Sequence, residues 1–339
     1  MDSLWFTYYL PLIWALLIGT AIVLYVLLDG FDLGMGILFP HTKDEGERDQ
    51  MMNSVAPFWD GNETWLILGG GGLWVAFPKA YAVIMPGVYL PIIFMLLSLV
   101  FRGVAFEFRF VSKPNHRKWD VAFAAGSTLA AFFQGVVLGA VIYQLPVENG
   151  AFAGGPLAWL HPFSIMCGIG MVAGYALLGC GWLMMRTEGP LARKAQGWAL
   201  PLLGVLLAFI AAVSIWTPLV IPRIADRWFS LPQFYYLLAV PVLTALVAFS
   251  AYRGIRAERG AQTFFSTVGL FLLCFLGLAV SVFPYLVPAS VTIWEAAAAP
   301  ESQLFVLLGT IPLLPIILIY TGFIYWTFRG RLKPGEGYH

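Results

Sequence analysis

Apolar runs of about twenty residues or more recur nine times along the chain, and each is long enough to cross the hydrocarbon core as a helix. They place helices at roughly 7–38, 55–77, 79–108, 120–144, 160–186, 198–222, 231–253, 262–284 and 304–328. The first and third exceed the hydrocarbon thickness and predict tilt or projection into water. The first is too long for the apolar region of a signal peptide, and no small-residue cleavage site follows it. Between the runs the breaks are short. The two longest, around 146–156 and 284–300, are rich in Pro, Ala and Gly and read as surface turns with at most a short helix. The pattern predicts an all-α integral membrane protein with nine transmembrane helices. We expect two four-helix bundles plus one peripheral helix, in a single polytopic domain over 1–339.

Composition agrees with the pattern. Of 339 residues 60% are hydrophobic and 11% charged, against about 25% charged in soluble domains; the mean hydropathy is +0.81. Net charge is +1 and no basic stripe exists to neutralise phosphates, which excludes a nucleic-acid partner. Cys167, Cys180 and Cys274 lie in apolar runs and read as small buried residues, with neither a disulfide nor a zinc site indicated. Trp5, Trp159, Trp228, Trp294 and Trp326 sit at run ends, as interface belts do.

Charge also sets the orientation. Of the 19 basic residues, all but Lys79, Arg223, Arg227 and Arg102 fall in loops after odd-numbered helices or in the tail, from Lys43 and Lys113 to Lys333. By the positive-inside rule the N-terminus is outside and the C-terminus cytoplasmic.

The stretch from Leu28 to Trp65 breaks the apolar pattern most sharply. It places Asp29, Asp32, Asp60 and Glu63 at the adjoining ends of helices one and two, in i, i+3 pairs. Acids at a membrane helix end are costly unless paired, wetted or in use. The bland alternatives are a hydrated helix end for Asp29 and Asp32, and a first-turn carboxylate facing the helix dipole for Asp60, worth about 0.3–1 kcal/mol. Pro57 supports that start. In the predicted topology these four acids, Arg102 and Glu107 all sit toward one membrane face. Arg102 lies deep in helix three and requires a carboxylate, since an unpaired guanidinium costs at least about 2.5–3.5 kcal/mol. Glu107, five positions along the same helix, points elsewhere, so Asp60 or Asp29 is the expected partner. A wet acidic cluster of this kind indicates proton handling.

The glycines Gly69, Gly70, Gly71 and Gly72 form no phosphate loop, since no Lys-Ser/Thr follows. They read as a surface for close helix approach, as do Gly30, Gly34 and Gly36. His41, His116 and His339 fall in loops or the tail and His161 at an outer helix end, so mid-helix haem ligands are not expected in this chain.

The segments DGFDLGMGILFP, NSVAPFWDGNETWLI, LSLVFRGVAFEFR, FPYLVPAS with TIWEAAA, and IPLLPIILIYTGFIYWTFRG together resemble subunit II of cytochrome bd-type quinol oxidases. The resemblance runs over nearly the whole chain, and the short inter-helix loops are closer to the cyanide-insensitive branch. It implies a haem-bearing subunit I as partner, holding two b-type haems and a haem d, oxidising quinol and reducing oxygen to water. It implies a non-haem subunit II in a pseudo-symmetric heterodimer in the bacterial cytoplasmic (inner) membrane, with a cytoplasmic proton path whose acids fall on Asp60 and Glu107. Some members have aspartate where Glu107 stands. Trp59, Asp29, Asp32 and Arg102 match the family's motifs too. A structural quinone and a small single-helix accessory subunit occur within the family, beside membrane lipid.

Two other readings compete. A proton-coupled secondary transporter also uses membrane acids with an arginine, but matched broken helices in two halves are not evident. A scaffold whose acids only stabilise assembly is the third.

Overall fold

The computed structural model describes residues 2–112 and 116–332, with side chains from Phe6 on. Lys113, Lys333, His339 and the side chain of Trp5 lie outside what is described. The order of elements is α1 (Asp2–Leu38), a 3-10 turn (Phe39–His41), α2 (Glu45–Val55), α3 (Trp59–Ala76), α4 (Pro78–Val111) and α5 (Arg117–Ile142). The hairpin β1 (Val147–Glu148) and β2 (Ala151–Phe152) follows, then α6 (Pro162–Arg186), α7 (Pro190–Val220), α8 (Pro222–Phe229), α9 (Gln233–Leu237), α10 (Ala239–Arg256) and α11 (Gly260–Val282). A second hairpin, β3 (Tyr285–Val287) and β4 (Val291–Thr292), leads through α12 (Ile293–Ala296) to α13 (Pro300–Thr327).

Among the described residues, eight helices are long and apolar enough to cross a membrane. The count of nine is therefore not reached by length and composition. The missing one is α3, which begins at Trp59 rather than at 55 and has 18 residues that include Asp60 and Glu63. The preceding polar segment forms a separate helix, α2, opened by Asp44, whose carboxylate accepts the Glu47 N–H at 2.9 Å. The two long breaks carry two-stranded antiparallel hairpins as well as turns, and α12 is the short helix expected in the second.

The helices form two groups that share α6. In one, α1, α4, α5 and α6 pack round a core containing Phe31, Met35, Phe123 and Tyr175; in the other, α6 packs with α7, α10 and α11. Between helices in lipid, association rests on close van der Waals fit. A Cβ on Gly126 would lie 2.7 Å from the Ser98 carbonyl oxygen, and one on Gly179 would lie 2.9 Å from the Gly34 carbonyl carbon. Gly30, Gly34 and Gly36 make such approaches to Tyr175 and Ser127. The run in α3 does so only in half: Gly69 and Gly72 meet Ile22 and Ile18 of α1, while Gly70 and Gly71 face open space.

Both α3 and α13 are peripheral. α3 packs chiefly on α1, and α13, with Gln303 as its buried residue among those described, touches α1 and α3. At one end of the bundle Gln303 Nε2 and the Ala298 N–H both donate to the Ala76 carbonyl, at 2.8 and 2.9 Å. At the other end the basic residues gather, and the site lies just inside that end.

Candidate functional site: a buried acid cluster around an arginine

The last turns of α1 carry Asp29 and Asp32 on the face turned toward α3 and α4, and both are fully buried. Arg102 of α4 enters between them with no exposed surface. Its guanidinium donates to Glu63 Oε1 of α3 at 2.8 Å and lies 3.5 Å from Asp29 Oδ1 and 4.0 Å from Asp32 Oδ2. The Trp59 ring covers the guanidinium at 5.2 Å from its centroid and stacks on Phe106. Four charged groups from three helices thus meet inside the bundle. Three carboxyl groups face one guanidinium, and Glu63 alone of the three is partly open, with 26% of its side chain exposed.

The structure separates the residues that the sequence placed on one face. Asp29, Asp32, Glu63, Arg102 and Trp59 come together. Asp60, in the first turn of α3, and Glu107 are exposed on the outer side of α3 and α4. Arg102 therefore pairs with Asp29, as expected, but with Glu63 and Asp32 in place of Asp60.

Two hydrogen-bonded arms reach the cluster, and the sequence reading missed both. Asn62 of α3 donates to Asp32 Oδ2 at 2.7 Å and accepts from the Tyr325 hydroxyl of α13 at 3.0 Å. Deeper in the bundle, Gln134 of α5 donates to the Tyr25 hydroxyl at 2.6 Å and accepts from Tyr175 of α6 at 2.7 Å, and Tyr25 is in electrostatic contact with Asp29. Asn62 stands within the quoted motif between two acids, which was the available signal. Tyr25 and Tyr175 look like any aromatic in an apolar run.

Nearer the basic end lies a second network, also missed. Arg109, fully buried at the end of α4, donates to Asp120 at 2.6 Å and to Glu45 at 3.1 Å, and pairs with Asp49. Arg48 donates to the same Asp120 at 3.0 Å, and Lys194 reaches Glu47 at 2.5 Å. This network ties α2 beneath the acid cluster.

The described histidines lie at element ends. His116 pairs with Glu45 at 2.9 Å, His161 caps α6 through Nδ1, and His41 closes the 3-10 turn. That donor set does not form a haem pocket. The three thiols are free: Cys180 is buried, Cys167 half-buried and Cys274 exposed, the last against expectation.

Residues 10–328 match the family described as cytochrome bd terminal oxidase subunit II. The chain is 30% identical to cytochrome bd-I ubiquinol oxidase subunit 2 of Escherichia coli (strain K12), with 96% of each covered. It is 28% identical to cytochrome bd ubiquinol oxidase subunit 2 of Bacillus subtilis (strain 168), over 96% of this chain and 97% of that one. Its fold matches a chain in the structure of bd oxidase from Geobacillus thermodenitrificans with a TM-score of 0.75 and 15% identity, over 94% and 98% of the two chains. None of these relatives supports the transporter reading. A membrane bundle with a buried acid–arginine cluster, matched to one family over nearly its whole length, belongs to the cytochrome bd terminal oxidase subunit II family and is a multi-pass membrane subunit of a bd-type terminal oxidase.

Proposed function

We propose that this chain is the non-haem subunit of a quinol:oxygen oxidoreductase and supplies the proton-uptake path for oxygen reduction in a haem-bearing subunit I. The observation that carries the reading is the convergence of Asp29, Asp32 and Glu63 on the fully buried Arg102. In this reading the basic end of the bundle is cytoplasmic and the N-terminus outside, in a bacterial inner membrane. Glu107 and Asp60 take protons at the cytoplasmic side. Glu63, one turn along α3 from Asp60, leads inward to Asp29 and Asp32. Arg102 and Trp59 hold the acids together.

The exposed side of α3, α4 and α13 is the side for subunit I. Ile67, Trp74, Phe101, Phe108 and Ile319 are exposed there, and Gly70 and Gly71 leave room for close approach. α3 is too polar to face lipid alone, so protein is the cover that suits it. Asp60 and Glu107 then lie at the edge of the junction, where the path opens to the cytoplasm. Two b-type haems and one haem d belong to subunit I, where quinol is oxidised. Drawing the protons from the cytoplasm makes the reaction electrogenic without a pump. A structural quinone, membrane lipid and a single-helix accessory subunit complete the expected assembly.

The test is Asp60→Asn in the co-purified complex, with quinol-dependent oxygen uptake measured per haem. The reading expects lower turnover with an unchanged haem spectrum. Full turnover with that spectrum removes Asp60 from the path. A lower yield of complex with normal turnover per haem assigns the acids to assembly.

A further inference from the structure

The two oxygens of Asp32 have different surroundings. Oδ2 accepts the Asn62 Nδ2–H at 2.7 Å, whereas Oδ1 has no hydrogen-bond partner among the described residues. Asn62, itself buried, is engaged at both ends of its amide. Its Nδ2 also donates to the Leu28 carbonyl at 3.2 Å, and its Oδ1 accepts from Tyr325 at 3.0 Å. A rotated amide would turn a carbonyl lone pair toward the carboxylate and leave the phenol without its acceptor, so the network fixes one sense of the amide. Tyr325 is held in turn, stacked on Phe58 at 4.4 Å and edge-on to Phe31 at 6.4 Å. The remaining charged and titratable groups round Asp32 are Arg102 at 4.0 Å on the Oδ2 side, Asp29, Glu63 and Tyr325 itself.

We propose that Asn62 is a positioning residue for proton transfer at Asp32, with Tyr325 holding Asn62 in register; this rests on the proton-path reading above. The amide keeps Oδ2 as a pure acceptor. A proton handed on from the Glu63 carboxyl, whose O–H bond breaks, forms its new O–H bond at Asp32 Oδ1, and its departure from Oδ1 regenerates the carboxylate. Without Asn62 the two oxygens become alternatives and the carboxyl group is free to turn away from its donor. Because Tyr325 stands on α13, this contact also ties the last helix of the chain to the geometry of an acid on the first.

The experiment measures turnover per haem, the KM for quinol and the pH profile in the purified two-subunit complex. Four variants are compared: Tyr325→Phe, Asn62→Asp, Asp32→Asn and the exchange Asp32→Asn with Asn62→Asp. Loss of one net hydrogen bond in Tyr325→Phe is expected to lower turnover roughly two- to tenfold, with KM and haem content unchanged. Asn62→Asp sets two carboxyl groups against each other and is expected to displace the pH profile. The exchange restores an amide facing an acid and is expected to turn over faster than either of its single variants. An unchanged pH profile in Asn62→Asp, together with an exchange no better than the singles, overturns the positioning role while a dead Asp32→Asn leaves the path reading standing. Full turnover in Asp32→Asn overturns both. Turnover per haem equal to the parent in Tyr325→Phe, with only the yield of complex reduced, shows a structural contact and overturns the proposal as well.

Discussion

Replacing Arg102 by methionine removes the one guanidinium that faces Asp29, Asp32 and Glu63. The side chain has no exposed surface, and Asp29 and Asp32 are equally buried, so water cannot take over its contacts with them. Removing one partner of a buried ion pair typically costs about 3–5 kcal/mol. At about 1.4 kcal/mol per tenfold, that is a factor of roughly a hundred to a few thousand in the folding equilibrium. Glu63 holds the shortest of the three contacts and is also the acid that water reaches, with 26% of its side chain exposed. The double variant Arg102→Met with Glu63→Gln should therefore recover only a small part of the loss. Arg102→Met with Asp29→Asn should recover more, because it removes a buried charge. Arg102→Lys should fall between, since an ammonium cannot present the planar fork that reaches several carboxylates at once. The assay is the yield of haem-containing complex and its thermal denaturation in detergent. An Arg102→Met complex that accumulates and melts like the parent would refute the reasoning, because it would show that the acids need no buried cation.

Arg109→Gln should release α2 from its anchor on Asp120, Glu45 and Asp49, and limited proteolysis of the 43–58 segment should become faster. Lys194→Ala breaks a surface contact to Glu47 and should change stability by less than about 1 kcal/mol, read from the melting temperature. Gly179→Leu drives a side chain into the Gly34 backbone and should lose at least about 1–3 kcal/mol, seen as reduced yield of complex. In the loop between α11 and α13, the Thr292 backbone N–H and hydroxyl both donate to Glu295, holding its carboxyl below the usual glutamate range. That contribution is complete above the ordinary glutamate pKa and is lost as pH falls through the lowered value. The protection factors of the amides in residues 292–296, taken relative to the intrinsic exchange rate at each pH, should accordingly fall on acidification and should not fall in that way in Glu295→Gln.

The membrane pattern was legible because twenty-residue apolar runs have few alternatives in a protein. α3 is the one predicted span that length and composition do not return as membrane-crossing among the described residues, since its apolar part is short and its opening turns are polar. The acid cluster was legible to the extent that helix phase decides it. α3 buries the stripe Asn62, Trp65, Gly69 and Ala76. At about 100° per residue, the centre of that stripe lies about 130° from Glu63 and about 170° from Asp60, so helix phase favours Glu63 as the inward acid only by a small margin. An i, i+3 pair shares a face only loosely, and here the edge of the packed face runs between its members. By sequence Arg109 groups with the loop cations, because acids that bury it come from α2, a polar segment that reads as a loop until its partners on α4 and α5 are known. Tyr25, Gln134 and Tyr175 are joined across three helices, and no local spacing records that.

The most direct test of the proton path is oxygen-driven proton uptake from the cytoplasmic side, measured in vesicles containing the two-subunit complex with Asp32→Asn in this chain. The account predicts that proton uptake and oxygen consumption fall together while the haem bands and the amount of complex stay as in the parent. Undiminished proton uptake at full turnover, with Asp32 replaced and the haems intact, would contradict it.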